Sequence, residues 1–165
     1  MATVTNARRA TVTLPTDEEI LITREFDAPP HLVYRAYTTP ELVRRWWSGR
    51  RGTMAVVEID LRVGGRWRYV MAEDGGFEVA FHGEFRELVP DERIVTTEVY
   101  EGAPPSDGDD VLNVVTFDAV DGGTRLSILV QAPNREVRDI IVGSGMETGM
   151  QEQMEVLEEL VRSLR

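Results

Sequence analysis

Apolar and polar residues alternate from Val57 to Val63, with Val57, Ile59, Leu61 and Val63 on one side and Glu58, Asp60 and Arg62 on the other. A period of two is the spacing of a strand with one buried face, so a strand is predicted over 57–63. Gly64-Gly65 follows, and paired glycines accept the positive φ of a tight reversal. On the return strand Trp67, Tyr69 and Met71 alternate with Arg66 and Arg68. After a second turn at Glu73-Asp74-Gly75-Gly76, Phe77, Val79, Phe81 and Phe85 form the apolar parity of the next strand. Glu19–Phe26 reads as the first core strand. Further strands at Arg93–Tyr100, Val111–Phe117 and Thr124–Gln131 extend the pattern into a meander of antiparallel hairpins.

Helical spacing replaces this alternation in two regions. Pro30 and Pro40 each suit the first turn of a helix, where a missing N–H costs nothing. They predict two short helices between the first two core strands. Leu32, Val33, Ala36 and Tyr37 are the apolar stripe of the first, and Leu42, Val43, Trp46 and Trp47 that of the second, with Thr39 as its N-cap. Near the other end Met146, Met150, Met154, Leu157, Leu160, Val161 and Leu164 recur opposite Glu147, Gln151, Glu152, Glu155, Glu158, Glu159 and Arg162. This is a long amphipathic helix, preceded by a short one at Arg135–Val142. Its stripe is what a twisted sheet with a buried concave face requires as a cover.

The motifs Phe26-Asp27-Ala28-Pro29, Tyr37-Thr38-Thr39-Pro40-Glu41-Leu42, Trp46-Trp47, Arg62-Val63-Gly64-Gly65-Arg66 and Gly145-Met146-Glu147-x-Gly149 occur in an order that resembles the AHSA-type family. This is the branch of the SRPBCC superfamily like the C-terminal part of the activator of the heat-shock-protein-90 ATPase, alongside START domains and the birch-pollen allergen. The resemblance covers roughly Glu19 to Leu164. It implies an α+β helix-grip fold, in which a curved antiparallel sheet of six or seven strands wraps on a long C-terminal helix. It also implies a pocket between sheet and helix, in a superfamily that hosts binding proteins, cyclases and chaperone regulators alike.

Composition narrows the classes. The 165 residues should bury about 70% of their unfolded surface, enough for a sizeable core. Residues 1–18 read as an arm with an added edge strand at Ala10–Leu14, and 19–165 as a single domain. The absence of cysteine excludes disulfides and thiolate metal sites and points to a reducing cytoplasm. Met1 to Leu14 lacks the apolar core of a signal peptide, and no apolar run reaches membrane-spanning length. A net charge of −11 disfavours nucleic acid as a partner. Arg44, Arg45, Arg50 and Arg51 make a local basic spot, read either as a solvated helix end or as a face for an anionic partner.

The central functional candidate is the interior. Trp67, Tyr69, Met71, Phe77, Phe81 and Phe85 share the buried parity of adjacent strands and face Met146, Met150 and Met154, with Trp46 and Trp47 nearby. Methionine adapts to ligands of varied shape, and Tyr and Trp add a hydrogen bond to an apolar wall. A packed core and a ligand cavity both fit this pattern. Arg24 shares parity with Ile20, Ile22 and Phe26. It either snorkels at the strand's end or meets a carboxylate from the protein or a ligand. Gly143, Gly145 and Gly149 mimic a dinucleotide turn, but no second strand follows to make a βαβ unit. They read instead as a helix break that lets the backbone pass close to Trp46-Trp47. His31 and His82 belong to no metal-spaced cluster, and His82 falls on a solvent parity. Asp107, Asp109 and Asp110 lack the twelve-residue calcium pattern and read as a solvated acidic loop.

No cofactor, metal or catalytic residue is expected. The leading expectation is a non-enzymatic module that binds a small hydrophobic or aromatic molecule between sheet and helix. The alternatives are a surface regulator of a chaperone ATPase, a homodimer, and a cyclase- or dehydratase-like enzyme with Arg24, Tyr69 and Glu98 as its only polar groups.

Overall fold

The computed structural model describes residues 9–102 and 111–165. Its strands are β1 (Thr11–Thr13), β2 (Glu19–Phe26), β3 (Gly52–Ile59), β4 (Arg66–Glu73), β5 (Glu78–Val89), β6 (Arg93–Tyr100), β7 (Val111–Val120) and β8 (Gly123–Gln131). They form one eight-stranded antiparallel sheet in the order β1-β2-β8-β7-β6-β5-β4-β3. Helices α1 (Pro30–Thr38) and α2 (Pro40–Trp46) connect β2 to β3, and α3 (Arg135–Gly143) and α4 (Met146–Ser163) follow β8. The α+β architecture expected from the sequence is the one found. The eighth strand is β1, the added edge strand. Because β8, β7, β6, β5 and β4 lie between β2 and β3, the α1–α2 connection must cross the sheet from one side to the other. The acidic segment with Asp107, Asp109 and Asp110, and the first eight residues of the arm, lie outside the described residues.

Local chemistry explains the helix pair. Pro30 and Pro40 occupy the first turns of α1 and α2. Thr39, at φ −104° and ψ 117°, ends one helix and begins the other, but its hydroxyl makes no capping bond. The steric demand of Pro40 on its predecessor holds Thr39 extended, so the proline rather than the threonine side chain starts α2. Trp46 Nε1 then donates to the Ala36 carbonyl at 2.9 Å and ties α2 back to α1.

Three expectations need correction. The strand predicted over 57–63 begins at Gly52 and ends at Ile59, and a bulge between Met54 and Val56 resets its parity. Leu61 and Val63 are 45% and 61% exposed. They belong to a turn closed by Gly65 N–H on the Arg62 carbonyl, where Gly64 takes φ 86°. Phe77 is 66% exposed in the β4–β5 turn, one residue before β5, and leaves the interior set. The close-approach reading fails at Gly143 and Gly145, whereas at Gly149 a Cβ would lie 3.6 Å from the Arg51 guanidinium. A Cβ at Gly143 or Gly145 would meet nothing within 4 Å, and Gly145 instead supplies the left-handed φ of 81° that begins α4. The close pass occurs from the other side, where a Cβ at Gly49 would lie 3.3 Å from Glu152 of α4.

The core lies between the concave face and α4. Met150, Met154, Leu157, Leu160 and Val161 pack with Ile20, Ile22, Phe26, Trp67, Phe85, Ile94, Val115, Phe117 and Leu126. Inside it sits an ion pair. Arg24 Nη1 donates to Glu158 Oε1 at 2.8 Å, with side chains 3% and 8% exposed. Glu158 Oε2 accepts the Asp27 N–H at 3.2 Å, and the guanidinium lies 4.6 Å over the Phe26 ring. Arg24 therefore points inward, and the snorkelling alternative is overturned.

Two stability outcomes follow from this packing. Glu158→Ala should cost about 3–5 kcal/mol, because it strands a buried guanidinium, whereas the double change Arg24→Met with Glu158→Leu should recover most of that loss. Urea titrations of Arg24→Met, Glu158→Leu and the double check this, and costs that simply add would contradict it. Leu157, fully buried, should cost about 2–5 kcal/mol on change to Ala in the same assay.

Candidate functional site

Strand register places a row of side chains on the concave face beneath the first half of α4. Tyr69 pairs with Phe81 and Phe81 with Tyr100, while Trp67 pairs with Gly83 and Glu98 with Val111. Phe85, Thr96 and Asn113 make the next row. The rings touch one another. Trp67 and Tyr69 have centroids 4.8 Å apart, Trp47 lies 5.4 Å from Tyr69 and 5.6 Å from Phe81, and Phe81 lies 5.3 Å from Tyr100. Tyr37 of α1 joins the same interior, 4.8 Å from Trp46 and 5.6 Å from Phe117. Offset and edge contacts of this kind suit ring quadrupoles and hold the wall in place.

Gly83 determines how Trp67 lies. A Cβ there would fall 2.6 Å from the indole Nε1 and 1.8 Å from the Thr97 carbonyl. The bare backbone lets the indole extend across β5 and donate to that carbonyl at 3.2 Å. The floor beside Glu98 is thus ring surface with its one polar atom satisfied.

The remaining polar groups are not satisfied in that way. Tyr37, Tyr69 and Glu98 lie deep in the molecule, so that burial pushes both phenols and the carboxyl above their ordinary pKa values. Yet each residue keeps some solvent-accessible surface. These three groups are thus partly rather than completely covered. Asn113 Nδ2 donates to Glu98 Oε1 at 2.5 Å, which opposes the shift without cancelling it. Neither phenol has a hydrogen-bond partner among the described residues. After burial, the Glu98 charge is the second influence on Tyr69, and Tyr69 is the second on Tyr37. The three therefore form one electrostatic line from β6 through β4 to α1.

The residues anticipated for the interior divide accordingly. Trp46, Trp67, Phe85, Met150 and Met154 are buried in the core, and Trp47, Tyr69, Phe81 and Met146 are partly buried against it. Met71 packs on a side cluster of Val43, Met54 and Val57. Phe77 is outside, and Arg24 is engaged by Glu158 rather than open to a ligand. Tyr37, Thr96 and Asn113 were not anticipated. Asn113 shares parity with Val115 and Phe117, and a lone amide on an apolar parity was the available signal. Elsewhere, the basic spot is largely paired. Arg50 meets Glu155 and Glu159, Arg51 meets Glu152, and Arg44 donates to the Met54 carbonyl. His82 lies exposed on Glu101, whose carboxyl Arg68 and His82 together lower to about 2. Among the described residues no cluster of His, Asp or Glu could hold a metal ion, and no helix is long and apolar enough to cross a membrane.

Comparison with known proteins agrees with this fold. The family model described as activator of Hsp90 ATPase homolog 1-like protein matches residues 27–162. No curated protein matches the chain. Among solved structures, a Rhodobacter sphaeroides protein superposes with a TM-score of 0.85 at 25% identity, covering 94% of this chain and 99% of its own. A Mycobacterium smegmatis protein gives 0.82 at 26%, covering 92% and 96%. A Chromobacterium violaceum protein gives 0.74 at 30%, covering 86% and 96%.

Glu98 carries a pH dependence of definite sign. Its folded value is raised from the ordinary 4.5. Its favourable contribution is therefore complete below that pH and is lost as pH rises through the folded value, because ionisation then opposes burial. Glu98→Gln removes the loss. Urea midpoints measured from about pH 4 to pH 8 should show the variant gaining on the parent with rising pH. Parallel curves would contradict the assignment.

Proposed function

The chain belongs to the activator of Hsp90 ATPase homolog 1-like family, and from that premise we propose that it is a binding module for a small hydrophobic or aromatic molecule held between the sheet and α4. The observation that carries this reading is a wall of aromatic and methionine side chains interrupted by three polar groups without full partners, Tyr37, Tyr69 and Glu98. A packed core satisfies its buried polar groups. A ligand site leaves a few directed into an apolar space, where they orient what enters.

The competing readings draw less support. Surface regulation of a chaperone ATPase through the basic spot would require Arg50 and Arg51 to leave their pairs with α4. Enzymatic turnover would rest on Tyr69 and Glu98, since Arg24 is held by Glu158.

The uncharged dye N-phenyl-1-naphthylamine tests the reading. Its emission should rise and shift to the blue on mixing with the protein, and at a hundredfold excess over Kd it should add about 2.7 kcal/mol of stability, visible as a higher Tm. Thr96→Phe, which places a ring on the concave face between Phe85 and Asn113, should abolish both responses while the variant still melts cooperatively. Absence of any response in the parent protein, or an undiminished one in the variant, would refute the proposal.

A further inference from the structure

Glu98 lies on the concave face without a counter-charge. Its hydrogen-bond partner is an amide, Asn113 Nδ2 at 2.5 Å, and no arginine or histidine among the described residues lies within ion-pair distance. The cation nearest to playing that part, buried Arg24, already meets Glu158 at 2.8 Å. This is unusual economy in a chain whose exposed carboxylates are so often paired: Glu87, Glu101, Glu152, Glu155 and Glu159 each hold an arginine. A carboxylate in an apolar enclosure is costly unless a cation and hydrogen bonds compensate it. The protein supplies the hydrogen bond and omits the cation.

The surroundings define what could supply it. Trp67 and Tyr69 stand 4.8 Å apart and Phe81 and Tyr100 5.3 Å apart on the adjoining strands. Ring faces attract a cation, and the attraction grows where water is excluded. One carboxylate, one amide and two phenols are too few oxygen donors for calcium or magnesium, which take six or more. The apolar lining in turn demands an apolar body. A net charge of −11 raises the local concentration of cations around the molecule.

We propose that the hollow selects cationic amphiphiles: an aromatic or aliphatic body carrying a protonated nitrogen, with the nitrogen against Glu98 and the body against Trp67, Tyr69, Phe81 and the methionines of α4. The inference rests on the reading of the hollow as a ligand site and adds its charge preference. Asn113 keeps the carboxylate oriented, and the unpaired Tyr69 hydroxyl accepts a second N–H from the same head group.

Three probes of one shape test it: 1-naphthylmethylamine, 1-naphthalenemethanol and 1-naphthoate, titrated calorimetrically into the full chain at neutral pH. The amine should bind at least about tenfold more tightly than the alcohol, and the naphthoate more weakly than either. Glu98→Gln preserves shape and can still accept from Asn113. It should bring amine and alcohol to within about twofold of each other while leaving alcohol affinity unchanged. Equal binding of amine and alcohol to the parent, an amine preference that survives Glu98→Gln, or tightest binding by the naphthoate would each overturn the charge preference and leave the hollow as a ligand site. Failure of all three to bind, with the uncharged dye also silent, would overturn both.

Discussion

The Glu158–Arg24 pair fixes the register in which α4 lies on the sheet, and with it where the other inward residues of the helix fall. The pair is buried at 2.8 Å, backed by the Asp27 N–H on the second carboxylate oxygen and by the Phe26 ring beneath the guanidinium. Such a pair adds little net stability over an apolar pair of equal volume, but it penalises any arrangement that leaves one charge alone. A slip of one helical turn would set Arg24 against Met154 or Arg162. Hydrophobic burial alone would tolerate a slip more readily, because the methionine and leucine stripe is similar from turn to turn. Asp27 extends the clamp outward through Arg165 at 2.9 Å.

With the helix so registered, the proposed hollow rests on what the sheet omits. Gly83 brings no side chain to the concave face, and the Trp67 indole fills that gap by lying across it. Beside it Glu98 and Asn113 are shorter than the aromatic residues around them. The half of α4 nearest its start contributes Met146, Met150 and Met154, side chains that adapt to irregular space. Towards the other end Leu157, Leu160 and Val161 close tightly on Ile20, Phe26 and Leu126. Met150 and Met154 are themselves buried, and Met146 at the start of the helix is partly exposed. The half around Leu157 contains the buried ion pair, whose Arg24 Nε finds no hydrogen-bond partner, and the other half contains Tyr37, Tyr69 and Glu98.

Much of this was legible in the sequence, for reasons that differ by element. The alternation at Glu19–Phe26, the two prolines, and the methionine-leucine stripe each depend on local chemistry and were read correctly. Alternation from Val57 to Val63 misled because period-two spacing carries no information about where pairing stops, and the Met54/Val56 bulge and the Gly64 turn are set by β4 and β5 rather than by β3 itself. Phe77 had the right parity but fell one residue outside the strand. Arg24 could be placed on the inner face, yet its partner, 134 positions away, required the tertiary fold. The candidate site was half visible. Its rings announced themselves and Glu98 was read as a polar group of the enzyme alternative, whereas Tyr37 looked like ordinary helix stripe and Asn113 like an ordinary strand polar until its register was known.

The central claim is that sheet and helix enclose a ligand-sized hollow bounded by Tyr37, Tyr69 and Glu98. A crystal of the protein soaked with 1-bromonaphthalene tests it most directly, because bromine can be located by its anomalous scattering without prior assumptions. The account predicts a bromine peak between Tyr69, Phe81 and the Met150 turn of α4, with the three polar groups around the ring. A crystal that stays ordered but shows bromine only on the outer surface, with side chains closing the interior, would contradict it.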